Sequence, residues 1–263
     1  QLSLPPITNP GNLITNIAPL TGILIALTLC ELLMSRRLPS LRNTETNKKF
    51  LLQPYITGRY LKKNCQLLTK NRLILIAILG LSLFWATSQA LLAVFPAFAK
   101  ATLTNDNTII SQGVMACTAI GLIIGTLTAG KLSKKTIELR LVPIAAFGLA
   151  LMIGVLPQLK TPLSMALIFT IIGLLGGLFI VPLLALIQFH AHSEELGTVL
   201  AGNNWIQNII MVMFLGLTIL LAHIGVNSIQ LFYGLMTIAL LGATYMLYEF
   251  SHTFNCKNIP NKH

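Results

Sequence analysis

The chain has 263 residues, of which 54% are hydrophobic and only 10% charged, with a formal net charge of +11. A soluble domain carries about 25% charged residues. The longest hydrophilic stretch here, Ser35 to Arg72, has 38 residues, which excludes a separate soluble domain.

Seven long apolar runs occupy most of the chain. In order they are Leu13 to Met34, Leu73 to Phe98, Ser111 to Gly130, Leu141 to Pro157, Leu163 to Phe189, Thr198 to Ala222 and Val226 to Tyr248. None carries a charged residue near its middle. A bilayer core is about 30 Å thick, so a spanning helix needs roughly 20 mostly apolar residues. Backbone N–H and C=O groups cannot reach water inside lipid, which forces each run to be helical. The expected fold class is an all-α polytopic membrane protein.

The first run stands apart. A basic connector separates it from the other six, which follow one another with short links. In that connector Arg36, Arg37, Arg42, Lys48, Lys49, Arg59, Lys62, Lys63, Lys70 and Arg72 face only Glu45. Its second half interleaves Tyr60, Leu61, Leu67 and Leu68 with cations. Two readings stay open there: an amphipathic interfacial helix on an anionic leaflet, or a flexible basic linker. If the seven runs alternate across the membrane, every Lys and Arg except Lys100 and Lys160 falls on one side. Positive loops stay cytoplasmic, so the N-terminal end is expected outside and the C-terminal end inside. That distribution explains the charge without a nucleic-acid partner.

Glycine and proline punctuate the runs. Gly121 and Gly125 form a GxxxG pair that permits close helix approach. Gly173, Gly176 and Gly177 crowd the fifth run, and Pro182 is expected to kink it. Cys30, Cys65, Cys117 and Cys256 are scattered, with no CxxC pair, so neither a disulfide nor a metal site is expected. The chain begins with Gln1 rather than Met, and seven helices with an external start suggest a piece that lacks upstream helices.

The acidic residues Glu31, Glu45, Asp106, Glu138, Glu194, Glu195 and Glu249 all lie at run ends or in loops. Ionisable groups at mid-depth mark ion coupling, and the seven runs hold none. Neutral polar groups are the remaining candidates. In the sixth run Asn203, Asn204, Gln207 and Asn208 fall at about 0°, 100°, 40° and 140° on a helix turning 100° per residue. Four carboxamides facing lipid are costly, so they face another helix, a water-filled cavity or the headgroup zone. Interhelical hydrogen bonding and substrate lining both fit. In the second run Ser82, Trp85 and Gln89 share a face, reading either as cavity wall or as core packing. Trp85 sits at mid-membrane, where its indole N–H needs a partner. Gln188 sits at the cytosolic end of the fifth run. His190 and His192 adjoin Glu194 and Glu195, but their i, i+2 spacing does not suit a metal. No nucleophile elbow, acyltransferase signature or phosphate-cradling loop is present, so no catalytic residues, cofactor or enzymatic activity are expected.

These features resemble one family. Gly130-Lys131-Leu132-Ser133-Lys134-Lys135 is a degenerate version of the basic loop between the second and third helices of each half of major facilitator superfamily transporters, without the usual Asp-Arg pair. Leu83-Phe84-Trp85-Ala86, Phe95-Pro96-Ala97-Phe98-Ala99-Lys100 and Ile137-Glu138-Leu139-Arg140-Leu141-Val142-Pro143 look like the lysophospholipid transporter branch. Gly176-Gly177-Leu178-Phe179-Ile180-Val181-Pro182-Leu183 and Ala201-Gly202-Asn203-Asn204 continue the likeness.

The resemblance implies helix six (residues 1–34), a cytosolic central loop (35–72), the six-helix C-terminal bundle (73–250) and a cytosolic tail (251–263) of a twelve-helix transporter. It also implies a flippase that moves lyso-phosphatidylethanolamine-type lipids across the bacterial inner membrane by alternating access. The implied partners are membrane lipids, an N-terminal helical half absent from this chain and, in fused relatives, an acyltransferase and acyl–carrier-protein synthetase. Trp85, Asn203 and Asn204 are family-like positions. Two other readings compete: a membrane anchor docking a cytosolic acyltransferase, and a major facilitator transporter of a soluble solute.

Overall fold

The computed structural model describes residues 10–37, 68–69, 71–103, 108–133, 138–192 and 195–256. The interfacial segment expected over 59–67 and the loop residue Glu194 lie outside them. Every regular element among the described residues is helical. By contact the chain divides into two compact units, Gln1–Leu51 and Leu52–His263.

The first unit holds α1, Pro10–Ser35, a 26-residue helix. The apolar side chains described along it are exposed, among them Ile23, Leu27 and Leu33. Thr28 turns its hydroxyl back to the carbonyl of Ile25, so the helix offers lipid no unpaired hydroxyl there.

The second unit holds the other six: α2 (Arg72–Thr102), α3 (Thr108–Leu132), α4 (Leu141–Val155), α5 (Pro162–His190), α6 (Leu196–His223) and α7 (Ser228–Cys256). Each is long and apolar enough to cross a membrane, α4 with the 3₁₀ turn Leu156–Gln158 that extends it. The expected runs and the observed helices coincide to within a few residues at their cores. Pro96 and Pro182 do not end their helices: α2 runs on to Thr102 and α5 to His190.

Helix ends are closed locally. Asn71 caps α2 by accepting from the backbone N–H of Leu73 at 3.1 Å. Thr161 caps α5 with Pro162 in the first turn, where a missing N–H costs nothing. At α7 the Gln230 side chain reaches back to the N–H of Asn227 at 3.1 Å, one arm of a capping box. The α6–α7 link is a Schellman turn. Gly225 takes φ +92°, its N–H bonds to the carbonyl of Ala222, and the Val226 N–H bonds to that of Leu221.

The most intimate contact joins α3 to α5, and glycine makes it. A Cβ on Gly121 would collide with the backbone of Thr170 and Leu174. One on Gly125 would strike Leu174, one on Gly173 the backbone of Thr118 and Leu122, and one on Gly177 that of Gly125 and Thr126. The expected GxxxG of α3 is thus met by a second, Gly173 and Gly177, on α5. With no hydrophobic drive between helices in lipid, such close van der Waals contact does the holding.

α2 is the central helix of this unit, touching α3, α5, α6 and α7, while α4 packs on α5 and α7. An aromatic cluster ties one end of three helices. Phe95 meets Phe169 edge-on with centroids 4.6 Å apart, and Phe98 meets Phe232 at 5.2 Å.

Gly173→Val is expected to destroy the α3–α5 contact. Overpacking costs about 1–3 kcal/mol where side chains can shift, and backbone neighbours cannot swing aside. Thermal unfolding of purified protein in detergent should show a large loss of stability. Gly216→Val, at a position with nothing nearby, should leave the melting temperature almost unchanged.

Candidate functional site

The four carboxamides of α6 do not act as one face. Asn203 and Gln207 are buried at 2% and 9% exposure, against the side that packs on α2. Gln207 Nε2 donates to Asn203 Oδ1 at 2.9 Å. Asn204 and Asn208 are exposed, and Asn208 Nδ2 donates to the Asn204 backbone carbonyl at 2.9 Å. An arc of about 140° is wider than the strip a single neighbouring helix covers. The inner pair is therefore largely buried while the outer pair looks away.

The stripe on α2 is also divided by depth of burial. Ser82 is fully buried and gives its hydroxyl to the Ile78 carbonyl at 2.7 Å. Trp85 is partly buried, edge-on to Phe84 with centroids 5.3 Å apart. Its indole N–H has no hydrogen-bond partner among the described residues. Gln89 is exposed.

The two polar groups lie at different levels. A Cβ on Gly202 would meet Leu68 at 2.7 Å, before α2 begins. At about 1.5 Å per residue, Ser82 is about 15 Å and Gln89 about 26 Å along the axis from Arg72. The carboxamides of α6 therefore sit near the start of α2, and Trp85 and Gln89 sit near its middle.

A cavity of about 40 Å³ lies within the second unit, between α2, α4, α5 and α7. Its α2 wall is Gly80, Leu83, Phe84, Thr87, Ser88 and Leu91, one helical face. That face is opposite the one bearing Ser82, Trp85 and Gln89, so none of the seven candidate residues lines it. The Thr87 hydroxyl is spent on the Leu83 and Phe84 carbonyls, leaving a nearly apolar wall. Composition could not reveal this cavity, because its residues are ordinary core types.

An ion pair also escaped the sequence reading. Arg72 Nη2 donates to Glu249 Oε1 at 2.8 Å and Arg72 Nε to Oε2 at 3.1 Å. The carboxylate is buried at 6% while the guanidinium is 70% exposed. Opposite charges at the start of one run and the end of another were the available signal, usable only once the two helices were known to be antiparallel neighbours. Glu249 also supplies negative charge beside the first turn of α2, where the helix dipole favours it. Gln188 is exposed at the end of α5. His190 hydrogen-bonds the Leu186 carbonyl through Nδ1 at 3.0 Å, and His192 is exposed.

An all-helical unit of six spans, polar only through neutral amides and hydroxyls away from its ends, defines a multi-pass membrane protein. The chain belongs to the Major Facilitator Superfamily, whose family model matches residues 15–215. It is similar to the lysophospholipid transporter LplT of Klebsiella pneumoniae (strain 342), with 29% identity over 167 residues, 63% of this chain and 42% of the relative. The lysophospholipid transporter LplT of Yersinia pestis (strain Pestoides F) is 30% identical over 164 residues, 61% of this chain and 40% of the relative. The match thus spans less than half the length of these curated relatives. No solved structure matches the chain.

Removing one partner of a buried ion pair strands the other charge, which costs more than removing both. Arg72→Ala should therefore lower the melting temperature in detergent more than the double variant R72A/E249Q does.

Proposed function

We propose that this chain is the second bundle, with the preceding helix and central loop, of a transporter that moves lysophospholipids of the lyso-phosphatidylethanolamine type across the bacterial inner membrane. The observation that carries the reading is the similarity to two lysophospholipid transporters together with the neutral polar groups of α2 and α6. A single-tailed zwitterionic lipid needs amides and hydroxyls at its headgroup and apolar surface along its tail. It does not need a fixed charge at mid-depth. Residues 1–34 are then helix six of twelve, 35–72 the cytosolic central loop, 73–250 the second bundle and 251–263 a cytosolic tail. Rocking of two bundles about a central site gives alternating access. Exposed Gln89 with Trp85 one turn away on α2, and exposed Asn204 and Asn208 at another level on α6, are the groups available to line the path.

In spheroplasts or proteoliposomes the protein should take up labelled lyso-phosphatidylethanolamine, and Gln89→Leu or Asn204→Leu should slow that uptake severalfold. Unchanged uptake at normal protein levels removes those residues from the path. Transport of a soluble solute with no lysolipid movement overturns the reading.

The one-sided distribution of Lys and Arg supports a cytosolic central loop and C-terminal tail. In a cysteine-free background, Lys131→Cys should react with an impermeant thiol reagent only from the cytosolic side, and Lys160→Cys only from the periplasmic side. The reverse pattern overturns this orientation.

A further inference from the structure

The cavity between α2, α4, α5 and α7 lies off the proposed path. α2 and α4 each pack on α5 and on α7, whereas α2 and α4 have little direct contact with each other, as have α5 and α7. The four helices therefore form a ring, and the cavity occupies its centre. Bundle interiors are where helical proteins build ligand sites. Its walls include Ser88 of α2, Leu149 of α4, Phe179 of α5 and Gly242 of α7. Ser88 is about 24 Å along the axis from Arg72, on a helix about 46 Å long. The other walls also fall near the middles of their helices. The cavity thus lies at mid-depth, away from headgroup water.

One group in its wall is polar and unspent. Ser88 lines the cavity and makes no hydrogen bond among the described residues. A helical serine commonly turns its hydroxyl back to the carbonyl four residues earlier, as Ser82 does. For Ser88 that carbonyl belongs to Phe84. It already accepts from the Ser88 N–H within the helix and from the Thr87 hydroxyl at 3.0 Å, so both its lone pairs are taken. Thr87 has turned its hydrogen to the Leu83 and Phe84 carbonyls and keeps only lone pairs for the cavity. No other hydroxyl, amide or charge lines the wall.

Size and wall together select the occupant. One water needs about 10–15 Å³, so about 40 Å³ takes roughly three or four non-hydrogen atoms. A water here would meet two hydroxyls and otherwise carbon, whereas buried waters make about three hydrogen bonds. An alcohol loses nothing in such a place. Its oxygen accepts from Ser88, its hydrogen goes to Thr87 Oγ1, and its alkyl chain lies against the apolar wall. We infer that this cavity is a binding site for a small uncharged amphiphile, an alcohol of about two or three carbons, held by Ser88 at the centre of the four-helix ring. The site is on the opposite face of α2 from Trp85 and Gln89 and does not depend on the transporter reading.

The test titrates the protein in nanodiscs with 1-propanol and follows binding by saturation-transfer NMR, with empty nanodiscs as the blank. Partition into lipid rises in proportion to concentration, whereas a site saturates. The wild type should show a saturable component in the millimolar range, the affinity open to so few atoms. Ser88→Ala should weaken it about fivefold, the worth of one neutral hydrogen bond. Ala239→Leu, which fills the cavity from α7, should abolish it. No saturable component in the wild type means water only and overturns the inference. So does a saturable component that survives Ala239→Leu in normally inserted protein, or one that Ser88→Ala leaves unchanged. Should Ala239→Leu fail to insert, Ala146→Leu fills the cavity from α4 and is read in the same way. Should both fail, the wild type and Ser88→Ala decide.

Discussion

Inside a bilayer a hydrogen-bonding group has only the protein to turn to, and nearly every feature of this chain answers that constraint. The runs are helical because the helix satisfies its own backbone. Their ends are closed by Asn71, Thr161, Gln230 and the Schellman turn at Gly225, each pairing groups that a helix end leaves open. Ser82, Thr87, Thr170 and Thr218 bend their hydroxyls back to carbonyls of the preceding turn, whereas the buried Thr118 hydroxyl of α3 has no partner among the described residues.

The same solvent changes what holds helices together. Lipid tails are as apolar as leucine, so burying more leucine gains little, and contact distance becomes the currency. Glycines at 121, 125, 173 and 177 bring the backbones of α3 and α5 together without intervening side chains. Large residues are left for the lipid-facing and outward sides, as with Ile120, Ile123 and Leu127 on α3. The outward sides of α3 and α6 are the least buried among the spans.

Much of the fold is legible in the sequence because its signals are long. Twenty apolar residues in a row and a one-sided distribution of Lys and Arg tolerate local error, and the six spans of the second unit fall where the runs predict. The GxxxG at Gly121 is legible too, although its partner on α5 is not, since glycine crowding does not say which helix will be met. The candidate site is less legible. Helical angles place Asn203, Asn204, Gln207 and Asn208 on one side, but they do not say how wide a strip α2 covers, and that width divides the four. Nor does periodicity distinguish the two faces of α2, one bearing Trp85 and Gln89 and the other walling a cavity. The Arg72–Glu249 pair depends on tertiary adjacency alone.

α2 and α7 are fastened to each other twice, by Arg72 and Glu249 at one end and by Phe98 and Phe232 at the other. At about 1.5 Å per residue the two fastenings are roughly 39 Å apart along α2. A rod pinned at a single point can swivel on its neighbour; pinned at both ends, it cannot. The antiparallel pair therefore behaves as one stiff beam across the full thickness of the membrane. Any bending of this unit is then left to helices held along one strip only, α6 on α2 foremost.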